Sequence, residues 1–409
     1  MFHTDTETIP WEATKALFDT LAVLGAGGNM GKGISCCLSQ LILSNPVYLS
    51  TQTQLILIDT DTSKLAAAKQ YIVEILSKTH SPTAVAAFNQ RVHLSSKLTD
   101  LASAQLIFEA VYELLDLKTD LLKRCREHCS EHTLFFTNTS SIPIFELEKR
   151  TQLTQRLIGF HFYNPPAIQK LIEIIPSKNT PSSLIKLSYK LSSDMSKTAV
   201  FSADAAGFIG NGHFIREAMF AIQKTRALMA YWSPEESIFL INRVTKDFLL
   251  RPMGIWNVID YVGLHVFKDI ARIMDQFISD ESFSLEQLSS FSDTSLTAAL
   301  PMKTEKKLNK WLGKPPYTTM NWKQLKHDPS KAQVIAQFFS DLQKSRTRGS
   351  ALARSFLKES QSISKQLVKK NIAASTYDVD TVLKMGFHHL YGASINPSHP
   401  HRSSHTKKA

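Results

Sequence analysis

Short apolar runs alternate with longer amphipathic stretches through the first half of the chain. The apolar runs fall at residues 21–24, 55–58, 92–94, 106–108, 133–136, 157–162, 171–175 and 198–201. Helical periodicity lies between several of them, at about 30–43, 63–77 and 117–129. Strands separated by helices of that length pair in parallel through crossover connections. Their near-continuous apolar character predicts strands buried on both faces. Residues 1–203 are therefore expected to form an α/β domain built on a doubly wound parallel sheet.

After about Asp204 the strand signal stops. Residues 207–232 read as one long helix, and Ser233-Pro234-Glu235-Glu236 opens another, with a serine N-cap, proline at the first helical position and acids in the first turn. A Ser-rich stretch at 279–295 reads as a loop, and helical pattern resumes over 332–370 as one element. Ser375 then caps a helix running to Lys384. The last segment echoes the first: a long helix, a short turn, a serine cap and a second helix ending near Met253-Gly254 or Met385-Gly386. That echo predicts an all-α C-terminal domain of two related units, residues 204–330 and a shorter 331–395, before a disordered basic tail at 396–409.

Composition narrows the class. A chain of 409 residues exceeds one ordinary core, and 43% hydrophobic with 20% charged residues is a globular balance. No apolar run reaches the roughly 18 residues that a membrane span needs. The N-terminal segment shows neither an Arg-rich amphipathic pattern nor an apolar signal core, and four cysteines fit a reducing compartment, so a cytoplasmic protein is expected. The net charge of +11 favours polyanions, whether nucleic acid, a membrane surface or coenzyme phosphates. Lysines and arginines are spread over the predicted helices rather than gathered in a basic stripe interleaved with aromatics, which argues against a nucleic-acid surface. Cys125, His128, Cys129 and His132 would share a helix face, but four ligands on one straight helix cannot converge on a tetrahedron, and His132 falls past the helix end. No metal site is expected.

The first apolar run ends in Gly25-Ala26-Gly27-Gly28-Asn29-Met30-Gly31, where the first helix begins. Backbone free of side chains lets a pyrophosphate approach the N–H groups and positive dipole end of a helix, the arrangement of a Rossmann-type dinucleotide site. The spacing is one residue longer than G-x-G-x-x-G. Counted back from the helix, Gly31 and Gly28 keep their places, Ala26 stands where the first glycine belongs, and the extra residue lies in the turn. Asp59 ends the second strand, where a carboxylate can accept the ribose hydroxyls and repel a 2′-phosphate, which predicts NAD rather than NADP. Residues 45–54 lengthen the path to it as an inserted loop. Gly25, Gly27, Gly28, Met30, Gly31 and Asp59 are the candidate cofactor contacts here.

Two further segments sit at strand ends facing the ligand crevice of such a sheet: Asn138-Thr139-Ser140-Ser141, and His161 with Asn164-Pro165-Pro166. A histidine there can take a proton from an alcohol as hydride leaves the adjacent carbon. Glu173, in the following strand, is a carboxylate partner that would fix its tautomer. Ser140 and Asn164 can hydrogen-bond near the reacting oxygen.

Taken in order, the nucleotide turn, Phe108-Glu109 through Glu113, Asn138 through Ser141, Gly159-Phe160-His161-Phe162-Tyr163-Asn164-Pro165, Lys170 through Glu173, Ala206 through Asn211, and Pro252-Met253-Gly254 with Asp260 through Gly263 resemble the signature of the 3-hydroxyacyl-CoA dehydrogenase family. The resemblance covers residues 21–263. It implies His161 as catalytic base with Glu173 as partner, Ser140 and Asn211 near the substrate's 3-oxygen, and Glu113, Lys118, Ser140 and Asn164 around the nicotinamide half of NAD. It further implies a helical domain that forms a homodimer or, when duplicated, pairs internally. The expected reaction is NAD-dependent oxidation of a (3S)-3-hydroxyacyl-CoA in β-oxidation or a related acyl-CoA pathway. A dehydrogenase of a 3-hydroxy acid without CoA, or an NAD-binding homologue acting as an assembly module, are the alternatives. Departures from the family pattern are the long glycine turn, Gly212 where arginine is usual, and Lys314-Pro315-Pro316-Tyr317 in place of a glycine- and aromatic-rich closing segment.

Overall fold

The computed structural model describes residues 16–45, 53–278, 299–318 and 320–395, with residues 48, 283, 285–288, 291 and 296–297 between them. The tail at 396–409, residues 1–15, much of the inserted loop at 45–54 and most of the Ser-rich stretch lie outside the described residues. The chain divides into two compact units, residues 1–205 and 206–409.

The first unit runs β1 (Thr20–Leu24), α1 (Asn29–Ser44), β2 (Gln54–Ile58), α2 (Thr62–Leu76), α3 (Pro82–Asn89), β3 (Val92–Ser95), β4 (Leu106–Glu109), α4 (Leu115–His128), β5 (Leu134–Thr137), α5 (Ile144–Thr151), β6 (Leu157–Phe162), β7 (Leu171–Ile175), α6 (Ser182–Asp194) and β8 (Thr198–Phe201). The strands form one sheet in the order β3-β2-β1-β4-β5-β6-β7-β8. Every residue of β1, β4, β6 and β7 is buried, as their unbroken apolar runs require. The outermost β3 buries only Val92.

One expectation fails here: β7 runs antiparallel to β6, while all other neighbours are parallel. The link between them, residues 163–170, is too short for the dozen or more residues of a crossover, so the chain can only turn back. Side chains alternate along a strand. Phe160 and Phe162 accordingly join the core with Phe108 and Phe136, the Phe108 and Phe136 rings stacked at 4.8 Å and Phe160 edge-on to Phe136 at 5.4 Å. His161, between them in sequence, points to the other face.

The second unit holds α7 (Gly210–Leu228), α8 (Pro234–Asp247), α9 (Ile255–Val262), α10 (Leu264–Phe277), α11 (Met302–Leu312), α12 (Trp322–His327), α13 (Lys331–Lys344), α14 (Arg348–Lys369) and α15 (Thr376–Gly386). Ser233 caps α8 through a reciprocal box with Glu236, and Ser375 caps α15 through the Asp378 N–H. The predicted single helix over 332–370 is two. Ser345 is extended and Thr347 Oγ1 accepts the Ser350 N–H at 3.2 Å, so a side-chain oxygen starts α14 afresh. The long helix expected at 207–232 is shorter at both ends, with Gly207 at φ +80° before it. α7 packs against α14, and one core runs from Ala206 to Tyr391, drawing on residues both before and after 330. Inside it Arg251 grips Glu217 in a two-bond fork at 3.0 and 2.7 Å. Among the described residues no helix is long and apolar enough to cross a membrane.

Candidate active site

Strand order reverses between β1 and β4, and in an open parallel sheet that is where the strand ends part to form a crevice. The glycine turn follows β1 at this point. Gly25 takes φ +72°, and a Cβ on it would lie 2.8 Å from the Ala110 carbonyl oxygen beyond β4. Gly25 and Ala26 both donate backbone N–H groups to Ile58 O, at 2.9 and 3.1 Å. A Cβ on Gly31 would fall 2.1 Å from Gly25 O, so helix and turn approach as only glycine permits. Ala26 is fully buried, and the residue that turns the chain is Gly25.

Gly28 is the N-cap of α1. No side chain caps that helix, and its first turn, with Met30, carries no acid. Asp59 Oδ2 accepts the Gly27 N–H at 3.0 Å, which fixes the carboxylate beside the turn. An uncapped, acid-free helix end with a bare backbone approach and an adjacent carboxylate fits a dinucleotide pyrophosphate and ribose.

Glu113 organises the next wall. Its Oε1 accepts from Thr139 Oγ1 at 2.6 Å, from the Ser140 and Ser141 N–H groups and Ser141 Oγ at 2.8 Å each, and from Ser140 Oγ at 3.4 Å. This fastens the loop after β5 to the segment after β4. Burial by itself would raise the Glu113 pKa. Lys118 and these donors outweigh it and hold the carboxyl below its ordinary value. Lys118 is only 1% exposed and lies between two carboxylates, with Nζ 2.7 Å from Glu109 Oε1 and 3.4 Å from Glu113 Oε2. Burial alone would depress its pKa, yet the two glutamates raise it. Thr137 Oγ1 completes the Glu109 carboxylate at 2.5 Å.

β6 carries the imidazole. The antiparallel register sets His161 directly opposite Glu173, and His161 Nδ1 lies 3.0 Å from Glu173 Oε2. Both are buried, so the carboxylate fixes the ring's orientation in a weakly screened setting. Tyr163 Oη donates to the same Oε2 at 2.8 Å, and its ring centroid is 4.8 Å from that of His161. Burial, then the Glu173 charge, pushes the phenol well above its ordinary pKa, so it stays a donor. Asn138 Oδ1 accepts the Phe162 N–H at 2.8 Å and stitches the β5 loop to the end of β6.

The structure thus brings His161 and Glu173 into contact and places Ser140 on the loop anchored by Glu113. Asn164 is exposed after β6, its carbonyl accepting from Gln169. Asn211 stands in the first turn of α7, in the second unit. Cys125 is buried in α4, which ends at His128, and among the described residues no group of three or more potential metal ligands gathers. Three contributors escaped the sequence reading. Tyr163 was findable, since two residues along a strand share a face. Glu109 offered only its place at a strand end. Asp204, whose carboxylate accepts the Ile144 and Phe145 N–H groups at 2.6 and 2.7 Å and caps α5 from sixty residues away, left no local signal.

Residues 20–205 match the NAD-binding domain of 3-hydroxyacyl-CoA dehydrogenases. The mitochondrial hydroxyacyl-coenzyme A dehydrogenase of Sus scrofa is 31% identical over 269 residues, covering 63% of this chain and 80% of that protein. The chain belongs to the 3-hydroxyacyl-CoA dehydrogenase family. Another relative, the peroxisomal bifunctional enzyme of Cavia porcellus, is 31% identical over 251 residues, and the match spans about a third, 32%, of its length. The crystal structure of 3-hydroxybutyryl-CoA dehydrogenase from Escherichia coli K12 superposes with a TM-score of 0.67 over 92% of this chain and 90% of that one, at 20% identity, a likeness of fold. The glycine turn, Asp59, His161 and Glu173 all fall within the matched residues 20–205.

Proposed function

We propose that the chain catalyses the reversible, NAD-dependent oxidation of (3S)-3-hydroxyacyl-CoA to 3-oxoacyl-CoA, a step of fatty-acid β-oxidation or a related acyl-CoA pathway. The observation that carries this reading is the buried His161–Glu173 pair, 3.0 Å apart on adjacent strands of the sheet that bears the nucleotide turn. With Nδ1–H given to Glu173, Nε2 is the nitrogen that takes the substrate's hydroxyl proton. Glu173 then stabilises the imidazolium it leaves behind. Ser140, on a loop that Glu113 holds at five points, can hydrogen-bond the 3-oxygen as it becomes a carbonyl. When bound, NAD supplies the acceptor for the hydride that leaves C3. In the reverse direction the imidazolium returns its proton to the oxygen.

NADH absorbance followed with acetoacetyl-CoA, longer 3-oxoacyl-CoAs and free acetoacetate tests the proposal. Consumption with the thioesters and little with the free acid is expected. NADH binding without consumption at any chain length would replace it by a binding role, and preference for the free acid would replace the substrate.

A further inference from the structure

We infer that Tyr163 is a positioning residue for the proton transfer, its hydroxyl sharing Glu173 Oε2 with the His161 imidazole and so limiting how strongly that carboxylate holds the protonated ring. The consequence for turnover rests on the dehydrogenase reading above, while the effect on the ring does not.

The geometry is direct. Oε2 accepts Tyr163 Oη at 2.8 Å and faces His161 Nδ1 at 3.0 Å. All three side chains are buried, so neither bond is diluted by solvent. The Glu173 carboxylate, from β7, and the Tyr163 phenol, from the segment after β6, both lie against the imidazole. A donor to a carboxylate oxygen draws charge from it, and a second donor at the same oxygen receives less. A bare carboxylate would bind the imidazolium tightly and keep His161 protonated to higher pH, where a base for alcohol oxidation is wasted. The phenol weakens that grip without removing the carboxylate's hold on the ring's orientation. It also fixes the rotamer of Glu173, since Oε2 must satisfy a donor from each side.

Tyr163→Phe deletes the O–H and keeps the ring that packs on His161. In the full chain, the proton NMR titration of the His161 ring, assigned by its loss in His161→Gln, should shift its midpoint upward by about half to one pH unit, a three- to tenfold tighter proton. The acid limb of the pH–rate profile for 3-hydroxybutyryl-CoA oxidation should move by the same amount, with little change in the thermal midpoint. In a Glu173→Gln background the same substitution should move nothing, because the hydroxyl acts through the carboxylate. Should Tyr163→Phe fail to fold, 3,5-difluorotyrosine at 163, a stronger donor of the same shape, should move the midpoint downward. An unmoved midpoint, or a shift that persists without Glu173, overturns the inference. A chain that turns over no thioester but shows the ring shift loses the proposed function alone. One that turns over with an unmoved midpoint loses this inference alone.

Discussion

Glu109 and Glu173 are both completely buried, on β4 and β7 of one sheet, but the partners they meet differ in kind. Glu109 faces Lys118, itself buried and held charged by two glutamates, and is completed by Thr137 and the Val111 N–H at 2.8 Å. The group serves as a brace between β4, β5 and α4. Glu173 faces an imidazole, a group able both to take and to give up a proton, and a phenol that only donates. Burial of a carboxylate therefore does not by itself mark reactivity. What separates a strut from a reacting group is whether its partner can give up a proton within the working range.

Breaking the pair proposed to move the proton should produce the largest effect. His161→Gln is expected to lower turnover by roughly a hundred- to ten-thousandfold, while NADH binding by fluorescence titration and the thermal midpoint stay unchanged. Turnover near wild type would remove the histidine from the mechanism. Lys118→Met should act on the other side of the comparison, leaving the buried Glu109 and the half-buried Glu113 without their cation and costing about 3–5 kcal/mol in urea unfolding. A cost below about 1 kcal/mol would mean that water or neighbouring donors already satisfy those carboxylates.

Asp204 sharpens the contrast with a carboxylate that has helix N–H groups as partners in place of a cation. Burial pushes it up to about 6, against the pull of the Phe145 and Ile144 N–H groups. Its folded form holds the proton more tightly than the unfolded chain, so its stabilising contribution is present below about pH 4 and is lost as pH rises through about 6. Asp204→Asn, with no charge to bury, should gain about 3 kcal/mol relative to wild type between pH 4 and pH 7. Urea midpoints taken across that range check it, and a constant difference would show that the cap's two bonds offset the burial.

Much of the first unit was legible because fully buried strands announce themselves as apolar runs: the spans of β6 and β7 coincide with the runs at 157–162 and 171–175, and the partly buried β8 with the run at 198–201. The direction of β7 was not, because periodicity within a strand is silent about the connection, and only the length of residues 163–170 decides it. His161 and Glu173 stood out by type and position, but their meeting depends on that same reversal. In the second unit the break at Ser345–Thr347 left the hydrophobic period intact, so only the hydroxyl cap recorded it. The Glu113 hub joins residues about 26 apart through tertiary contact, which no local pattern encodes.

The cross-strand rung has a thermal consequence. β6 and β7 are interior strands, each bonded on both sides, and His161 and Glu173 are tied to each other through the same main-chain bonds that hold the sheet together. Such strands open only with the whole domain. The proposed proton-transfer pair therefore has no loosened intermediate state on heating: amide exchange at Phe160 and Ile174 should report the same free energy as unfolding of the unit that holds them, and catalysis and cooperativity should disappear at one temperature.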